Sequence, residues 1–275
     1  MIMEQTAFIC PVCRLPLEPR DTALCCADGH SFDRARAGYV NLIPSKATGR
    51  LQGDSASMVK ARQGFLARGL YLPLAQAVTE AMLSEKPQVV ADIGCGEGYY
   101  LRELLGSRKG EKLQAYGMDI SKAAVAAAAK ASPGAHWGVA DTNSLIPLGD
   151  ASVEAAMCVF APRNAVEFAR VVRPGGRLVV AIPGPAHLAS LREKFELLAI
   201  ESDKASKISG QLQAFDLLDG RKVTAELELD NLSLRELLDM TPNARHVDET
   251  TRVEIAGINR IRTEAHFEVL TFIRQ

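Results

Sequence analysis

The chain has 275 residues, 47% apolar and 24% charged, with a net charge of −1. A domain usually runs to about 100–200 residues, so this length suits one large α/β domain plus a small module. The near-neutral balance excludes a protein that coats nucleic acid by bulk charge, and no apolar run reaches the roughly 18 residues of a membrane span. The start, MIMEQTAFIC, lacks the basic end and apolar stretch of a secretory signal. The expectation is a cytoplasmic protein with no membrane and no DNA partner.

Six cysteines stand at 10, 13, 25, 26, 95 and 158, four of them within the first 26 residues. In a reducing compartment such crowding predicts a metal site, not disulfides. Cys10-Pro-Val-Cys13 offers two thiolates at knuckle spacing, and Cys26-Ala-Asp-Gly-His30 adds a thiolate and an imidazole. Cys10, Cys13, Cys26 and His30 thus make a tetrahedral zinc set, and four protein ligands close it, as in a structural site. Cys25 is the alternative third thiolate, although the spacing to His30 favours Cys26. Pro11, Pro16, Pro19 and Gly29 punctuate the loops of a module too small to own a core.

Between Arg34 and Arg68 lie Arg34, Arg36, Lys46, Arg50, Lys60, Arg62 and Arg68 against the single acid Asp54. Such a strip suits a phosphate backbone, or else forms a solvated helix face.

From Gln88 the chain alternates strand and helix patterns: VVADI, a helix from Glu97, LQAYGMD, SKAAVAAAAKA, HWGVA, VEAAMCVFA, a helix through Val171, RLVVAIP and a helix to about Ile200. This is the pattern of a parallel sheet covered by helices on both faces. KVTAELELD and AHFEVLTFI, separated by the helical SLRELLDM, read as closing strands, one of them antiparallel. The divisions expected are 1–38 for the zinc module, 39–86 for a linker and helical segment, and 87–275 for the main domain.

Asp92-Ile93-Gly94-Cys95-Gly96-Glu97-Gly98 follows the first of these strands and opens a helix, where glycines let a ligand approach the backbone and free N–H groups meet it. Asp119 ends the next strand, 21 residues after Gly98, where a carboxylate can accept both hydroxyls of a ribose. A nicotinamide dinucleotide and S-adenosylmethionine both fit this much. The G-x-G-x-G spacing, the acid Asp92 before it and Asp141 at the end of the third strand favour the methyl donor. Asp92 would order the loop and the cofactor's amino-acid end, and Asp141 would read an adenine edge.

DIGCGEGYY, GMDISK, VFAP at Val159–Pro162, PGPAHL at Pro183–Leu188 and LLDMTP, together with the zinc module, resemble the bacterial 23S rRNA guanine-N1 methyltransferases of the RlmA family. The linker GYVNLIPS followed by GDSASMVKARQGFLARGLYLPL is the most specific part, and the likeness runs from Cys10 to about Pro242. It implies a class I, Rossmann-like S-adenosylmethionine-dependent methyltransferase domain with an amino-terminal zinc module that recognises RNA. The implied cofactor set is Tyr71, Asp92, Gly94, Gly96, Glu97, Gly98, Tyr99, Asp119, Asp141 and His187. Read alone, Tyr71 would be a core aromatic and His187 a helix-start polar residue. Phe160, Ala161 and Pro162 stand where related enzymes hold the target base. After Met240-Thr241-Pro242 the family continues with aromatic residues, whereas this chain reads Asn243-Ala244-Arg245.

The expected reaction moves a methyl group to N1 of a guanine in a hairpin loop of domain II of 23S rRNA, and the family's pairing into homodimers is implied as well. Guanine N1 lies on the Watson–Crick edge and carries a proton, so the base must be unpaired and the proton must leave. Asp54, Asp141 and Glu97 are candidate acceptors, none singled out. A small-molecule methyltransferase, of the quinone or metabolite type, is the alternative, because fold does not fix substrate.

Overall fold

The computed structural model describes residues 6–44, 53–109, 112–201, 203–241 and 247–275. At the amino terminus β1 (Glu18–Arg20), β2 (Ala23–Cys25) and β3 (Ser31–Asp33) form a small antiparallel sheet in that order. Strands this short bury little on their own. Phe8, Leu17 and Leu24 are therefore buried in one apolar cluster with Tyr116, Met118 and Leu148 of the main domain. The junction is hydrogen-bonded too: Ile9 N donates to Pro147 O at 3.0 Å and Ala7 N to the Tyr116 hydroxyl at 2.8 Å. The module shares the larger core.

Next, β4 (Tyr39–Asn41) lies parallel to Trp137–Val139 at the edge of the main sheet, so the segment expected to begin as linker begins as a strand. Two helices follow, α1 (Ala56–Ala67) and α2 (Leu72–Leu83). Ser55 caps α1, its Oγ accepting from Met58 N at 3.3 Å, and Pro73 stands in the first turn of α2, where a missing N–H costs nothing.

The alternating part comprises β5 (Val89–Ile93), α3 (Tyr99–Ser107), β6 (Gln114–Asp119), α4 (Lys122–Ala131), β7 (His136–Val139), β8 (Val153–Val159), α5 (Ala165–Val171) and β9 (Val172–Pro183). After it come α6 (Ala189–Lys194), α7 (Lys204–Gln211), β10 (Phe215–Asp230), α8 (Asn231–Asp239), α9 (Glu249–Ala256) and β11 (Arg260–Arg274). The sheet order is β10-β11-β9-β8-β5-β6-β7-β4, with every pair parallel from β4 to β9 and β11 antiparallel to both neighbours. Of the two expected closing strands, β11 is the one reversed against the sheet. Each extends beyond its predicted run, because the two pair with each other along nearly their whole length.

The helix after β9 is a correction. It was expected to about Ile200 and ends at Lys194. Glu196 takes a left-handed φ of 48° and Leu197 N donates back to Arg192 O at 3.0 Å, a terminating turn that usually advertises itself by glycine and here does not.

Alternate residues of the strands face two clusters. Val90 and Met157 pack with Phe65 of α1, Leu74 of α2, Leu101 of α3 and Leu234 of α8, whereas Ala91 and Cys158 pack with Phe168 of α5, Ile208 of α7 and the zinc module. Strand order reverses at β5, which has β6 on one side and β8 on the other. In an open parallel sheet a ligand crevice forms there, beyond the carboxyl ends of the strands.

Candidate active site and metal centre

The ligand atoms of Cys10, Cys13, Cys26 and His30 all lie within 4.8 Å of one another. Cys13 Sγ is 3.5 Å from Cys26 Sγ, and Cys26 Sγ is 3.3 Å from His30 Nδ1. Zinc–sulfur bonds of about 2.3 Å at tetrahedral angles give edges of about 3.8 Å, so these four groups fit one zinc ion. Each pair sits on a tight turn: Arg14 N donates to Cys10 O at 2.9 Å and Gly29 N to Cys26 O at 3.0 Å, with Arg14 and Gly29 both at positive φ. Cys25 lies apart, its Sγ 3.4 Å from Ser31 Oγ.

At the switch point, Gly94, Gly96 and Gly98 adopt φ of 80°, 54° and 80°. Gly94 N and Cys95 N both donate to Met118 O, at 2.8 and 3.0 Å, which pins the loop to β6. A Cβ on Gly94 would collide with Ala161, so the loop and the end of β8 touch only because no side chain intervenes. Asp119 Oδ2 accepts from Gly96 N at 2.9 Å and Oδ1 from Ser121 N at 2.8 Å. Each oxygen keeps a lone pair for a ribose hydroxyl.

Asp92 and Glu97 are 1% and 2% exposed, and both Asp92 oxygens and Glu97 Oε1 have no hydrogen-bond partner among the described residues. Burial pushes the Asp92 carboxyl well above the usual carboxylate range, and the nearby charges of Asp119 and Glu97 push it further. Buried polar groups are nearly always satisfied, so orphans converging on a glycine loop mark the place of a ligand that brings donors and positive charge. S-adenosylmethionine, with its hydroxyls, ammonium and sulfonium, has that chemistry.

A wall of aromatics adjoins the loop. The Tyr71 ring is 5.0 Å from Phe65 and 4.8 Å from Phe267, and its hydroxyl is 3.4 Å from His187 Nε2. His187 Nδ1 lies 3.0 Å from the carbonyl of His266, an acceptor only; Nδ1 therefore carries the proton and Nε2 accepts from Tyr71. Burial lowers the His187 pKa to about 4, so the imidazole is neutral. Phe160, 43% exposed and at a φ of 55°, turns off β8 with its ring 5.8 Å from Phe267 and 6.4 Å from Tyr100. Tyr71, His187 and Phe160, separate in sequence, thus share one wall with Phe267 and Tyr100. Sequence reasoning missed those two; the doubled tyrosine of DIGCGEGYY was the signal for Tyr100, while Phe267 reads only as an alternating strand residue.

Other predicted positions stand differently. Tyr99 is buried in the first turn of α3 with Arg102 over its ring at 5.6 Å. Asp141 closes its own turn, Oδ1 accepting from Asn143 N at 3.1 Å. Ala161 and Pro162 follow Phe160, and Arg163 Nη1 donates to Ala161 O at 3.0 Å. Of the basic strip, Arg62 is paired with Asp54 at 2.5 Å and Arg68 with Glu236 at 3.1 Å, whereas Arg34, Arg36 and Lys60 are exposed. Lys46, Arg50 and the Pro242-Asn243-Ala244-Arg245 segment lie outside the described residues.

A sheet of this order, a glycine loop at its switch point and an acid ending the next strand define a class I S-adenosylmethionine-dependent methyltransferase, here with a zinc ribbon attached. Residues 8–48 match the family model described as RlmA, N-terminal, and residues 91–180 match that of a methyltransferase domain. The chain belongs to the RlmA-type family of 23S rRNA (guanine-N1)-methyltransferases: it is 36% identical to the 23S rRNA (guanine(748)-N(1))-methyltransferase of Streptomyces fradiae across 94% of this chain and 95% of that one. A relative from Micromonospora griseorubida is 36% identical across 87% of each chain. The crystal structure of a SAM-dependent methyltransferase from Aquifex aeolicus superposes with a TM-score of 0.52 at 17% identity, covering 80% of this chain and 100% of that one, a likeness of fold alone.

Proposed function

We propose that this protein transfers a methyl group from S-adenosylmethionine to N1 of a guanine in a hairpin loop of domain II of 23S rRNA. The observation that carries the reading is the union, in one chain, of the RlmA-type zinc ribbon and the methyltransferase domain, with 94% of the chain aligned to the Streptomyces fradiae enzyme. Bound S-adenosylmethionine supplies an electrophilic methyl group on sulfur. Asp119 holds the ribose, Asp92 and Glu97 the amino-acid end, Asp141 the adenine edge, and Gly94, Gly96 and Gly98 allow the close approach. Tyr71 and His187 form a neutral wall beside the methyl group, since His187 does not titrate near neutral pH.

With the donor held there, guanine N1 would take the methyl group from the side opposite sulfur, S-adenosylhomocysteine would be the leaving group, and the N1 proton would pass to water. Phe160, with Ala161 and Pro162, forms the platform on which the unpaired base stacks, its strained backbone turning the ring outward. Holding the reacting atoms in line supplies much of the acceleration. Residues 1–38 grip the hairpin by shape and phosphate contacts, residues 39–86 flank the active site, and residues 87–275 carry the chemistry. The enzyme works in the cytoplasm as a homodimer.

The test incubates the protein with labelled S-adenosylmethionine and unmodified 23S rRNA, then maps methylation by reverse transcription, which an N1 methyl group stops. A single stop at a domain II hairpin guanine is expected. Cofactor binding without transfer to rRNA would overturn the reading.

A further inference from the structure

One side chain outside the expected cofactor set lies directly on the glycine loop. Arg62, on α1, holds its Nη1 3.2 Å from the position a Cβ on Gly96 would take. The same Nη1 meets Asp54 Oδ2 at 2.5 Å, and Nη2 donates to Met240 O at 2.9 Å, just past α8. Asp54 is fixed in turn, because Ser121 Oγ donates to its backbone oxygen at 2.7 Å. A single guanidinium therefore ties the segment before α1 and the end of α8 to the loop, beside Asp119.

The setting is acidic: Asp54, Asp92, Glu97 and Asp119 surround the loop. Burial raises the pKa of both Glu97 and Asp119, and the charge of Arg62 works against that rise at each. Such a ring of carboxylates attracts the ammonium and sulfonium of the methyl donor and repels its one anionic group, the α-carboxylate. That group needs a cation with free donors. A guanidinium has five N–H groups; among the described residues two nitrogens of Arg62 are engaged as above, and the rest of the fork is left to meet a carboxylate.

Resting on the methyl-donor reading above, we propose that Arg62 receives the α-carboxylate of S-adenosylmethionine and positions the donor, while its contacts to Asp54 and Met240 hold the guanidinium in place at the loop. Arg62 is a binding and positioning residue, with no part in proton transfer.

Calorimetry separates this from a purely structural latch. Wild type, Arg62→Met and Arg62→Lys are titrated with S-adenosylmethionine, S-adenosylhomocysteine and decarboxylated S-adenosylmethionine, after ligand-free melts show which variants fold. Loss of a charge-assisted contact should weaken the two carboxylate-bearing ligands by about tenfold to a hundredfold in Arg62→Met, and the decarboxylated one by less than about threefold. Equal losses for all three ligands would overturn the proposal and leave Arg62 a latch; no loss for any would overturn it as well. If Arg62→Met does not fold, Arg62→Lys decides: it keeps the charge without the fork and should narrow the wild-type preference for carboxylate-bearing ligands, and an unchanged preference would sink the proposal. Wild type that binds none of the three would instead contradict the methyl-donor reading itself.

Discussion

Asp92→Asn tests whether the orphan carboxylate is kept for the cofactor at the expense of stability. The substitution conserves shape and removes a charge from a site that is 1% exposed, has no partner among the described residues, and faces the charges of Asp119 and Glu97. A buried unsatisfied group costs about 1–3 kcal/mol, and more when charged. Asn still leaves a polar group there, so the expected net gain in the ligand-free protein is about 1–3 kcal/mol, or roughly 3–10 °C in Tm for a chain of this size. Cofactor affinity should move the other way, by about tenfold, as a charged acceptor for the amino-acid end is lost.

The pH dependence fixes the cause. The folded pKa of Asp92 is raised, so its penalty is absent below the unfolded carboxylate pKa of about 3.9, grows as pH rises toward the folded value, and is constant above it. The advantage of Asp92→Asn over wild type should therefore widen as pH rises from the unfolded carboxylate range toward the folded pKa and then stay constant, other titrating groups cancelling in the difference. Ligand-free thermal melts across that range, paired with calorimetry of the cofactor, are the assay. A variant that melts below wild type throughout, or a gap that ignores pH, would refute the reasoning.

The Arg170 guanidinium donates to Glu167 at 2.6 and 2.9 Å and to the carbonyls of Ile146 and Leu148 at 2.6 and 2.7 Å, beneath the zinc module. Arg170→Ala strands the buried Glu167 and should cost about 3–5 kcal/mol in denaturant unfolding. Burial alone would raise the Glu167 pKa, but the hydrogen bonds from Arg170 and Ile146 N and the charges of Arg170 and Arg14 together outweigh it and the net shift is downward, so this support is present at neutral pH and is lost on acidification. Because Phe8 and Leu24 are shared with the main core, chelating zinc should lower the melting temperature of the whole chain and weaken rRNA binding more than cofactor binding. Metal analysis should find one zinc per chain in wild type and in Cys25→Ser, whereas Cys26→Ser should lose it. The His187 pKa is lowered from about 6.5 to about 4, so its contribution to stability is complete above about pH 6.5 and declines as pH falls toward 4. Melts of wild type and His187→Gln over that interval should converge as pH falls.

The sequence by itself determined the features that depend on local chemistry. Cys10, Cys13, Cys26 and His30 were legible because zinc demands particular ligands at short spacings, and the glycine loop because a backbone bent to positive φ next to a ligand tolerates little else. The alternation of strands and helices from Gln88 onward followed from hydrophobic period alone. It failed at α6, where the chain stops on Glu196 in a conformation that glycine usually supplies. Only the tertiary structure decided which distant residues meet. Phe267 on β11 reaches Tyr71 and Phe160 through the reversal of one strand, and Arg62 reaches Gly96 because α1 folds back over the loop. The zinc module reads in sequence as a separate unit, yet its apolar side chains complete one face of the main sheet. A spacing records what neighbours along the chain can do together, whereas burial, orphaned carboxylates and shared cores arise when segments a hundred or more residues apart exclude water from the same volume.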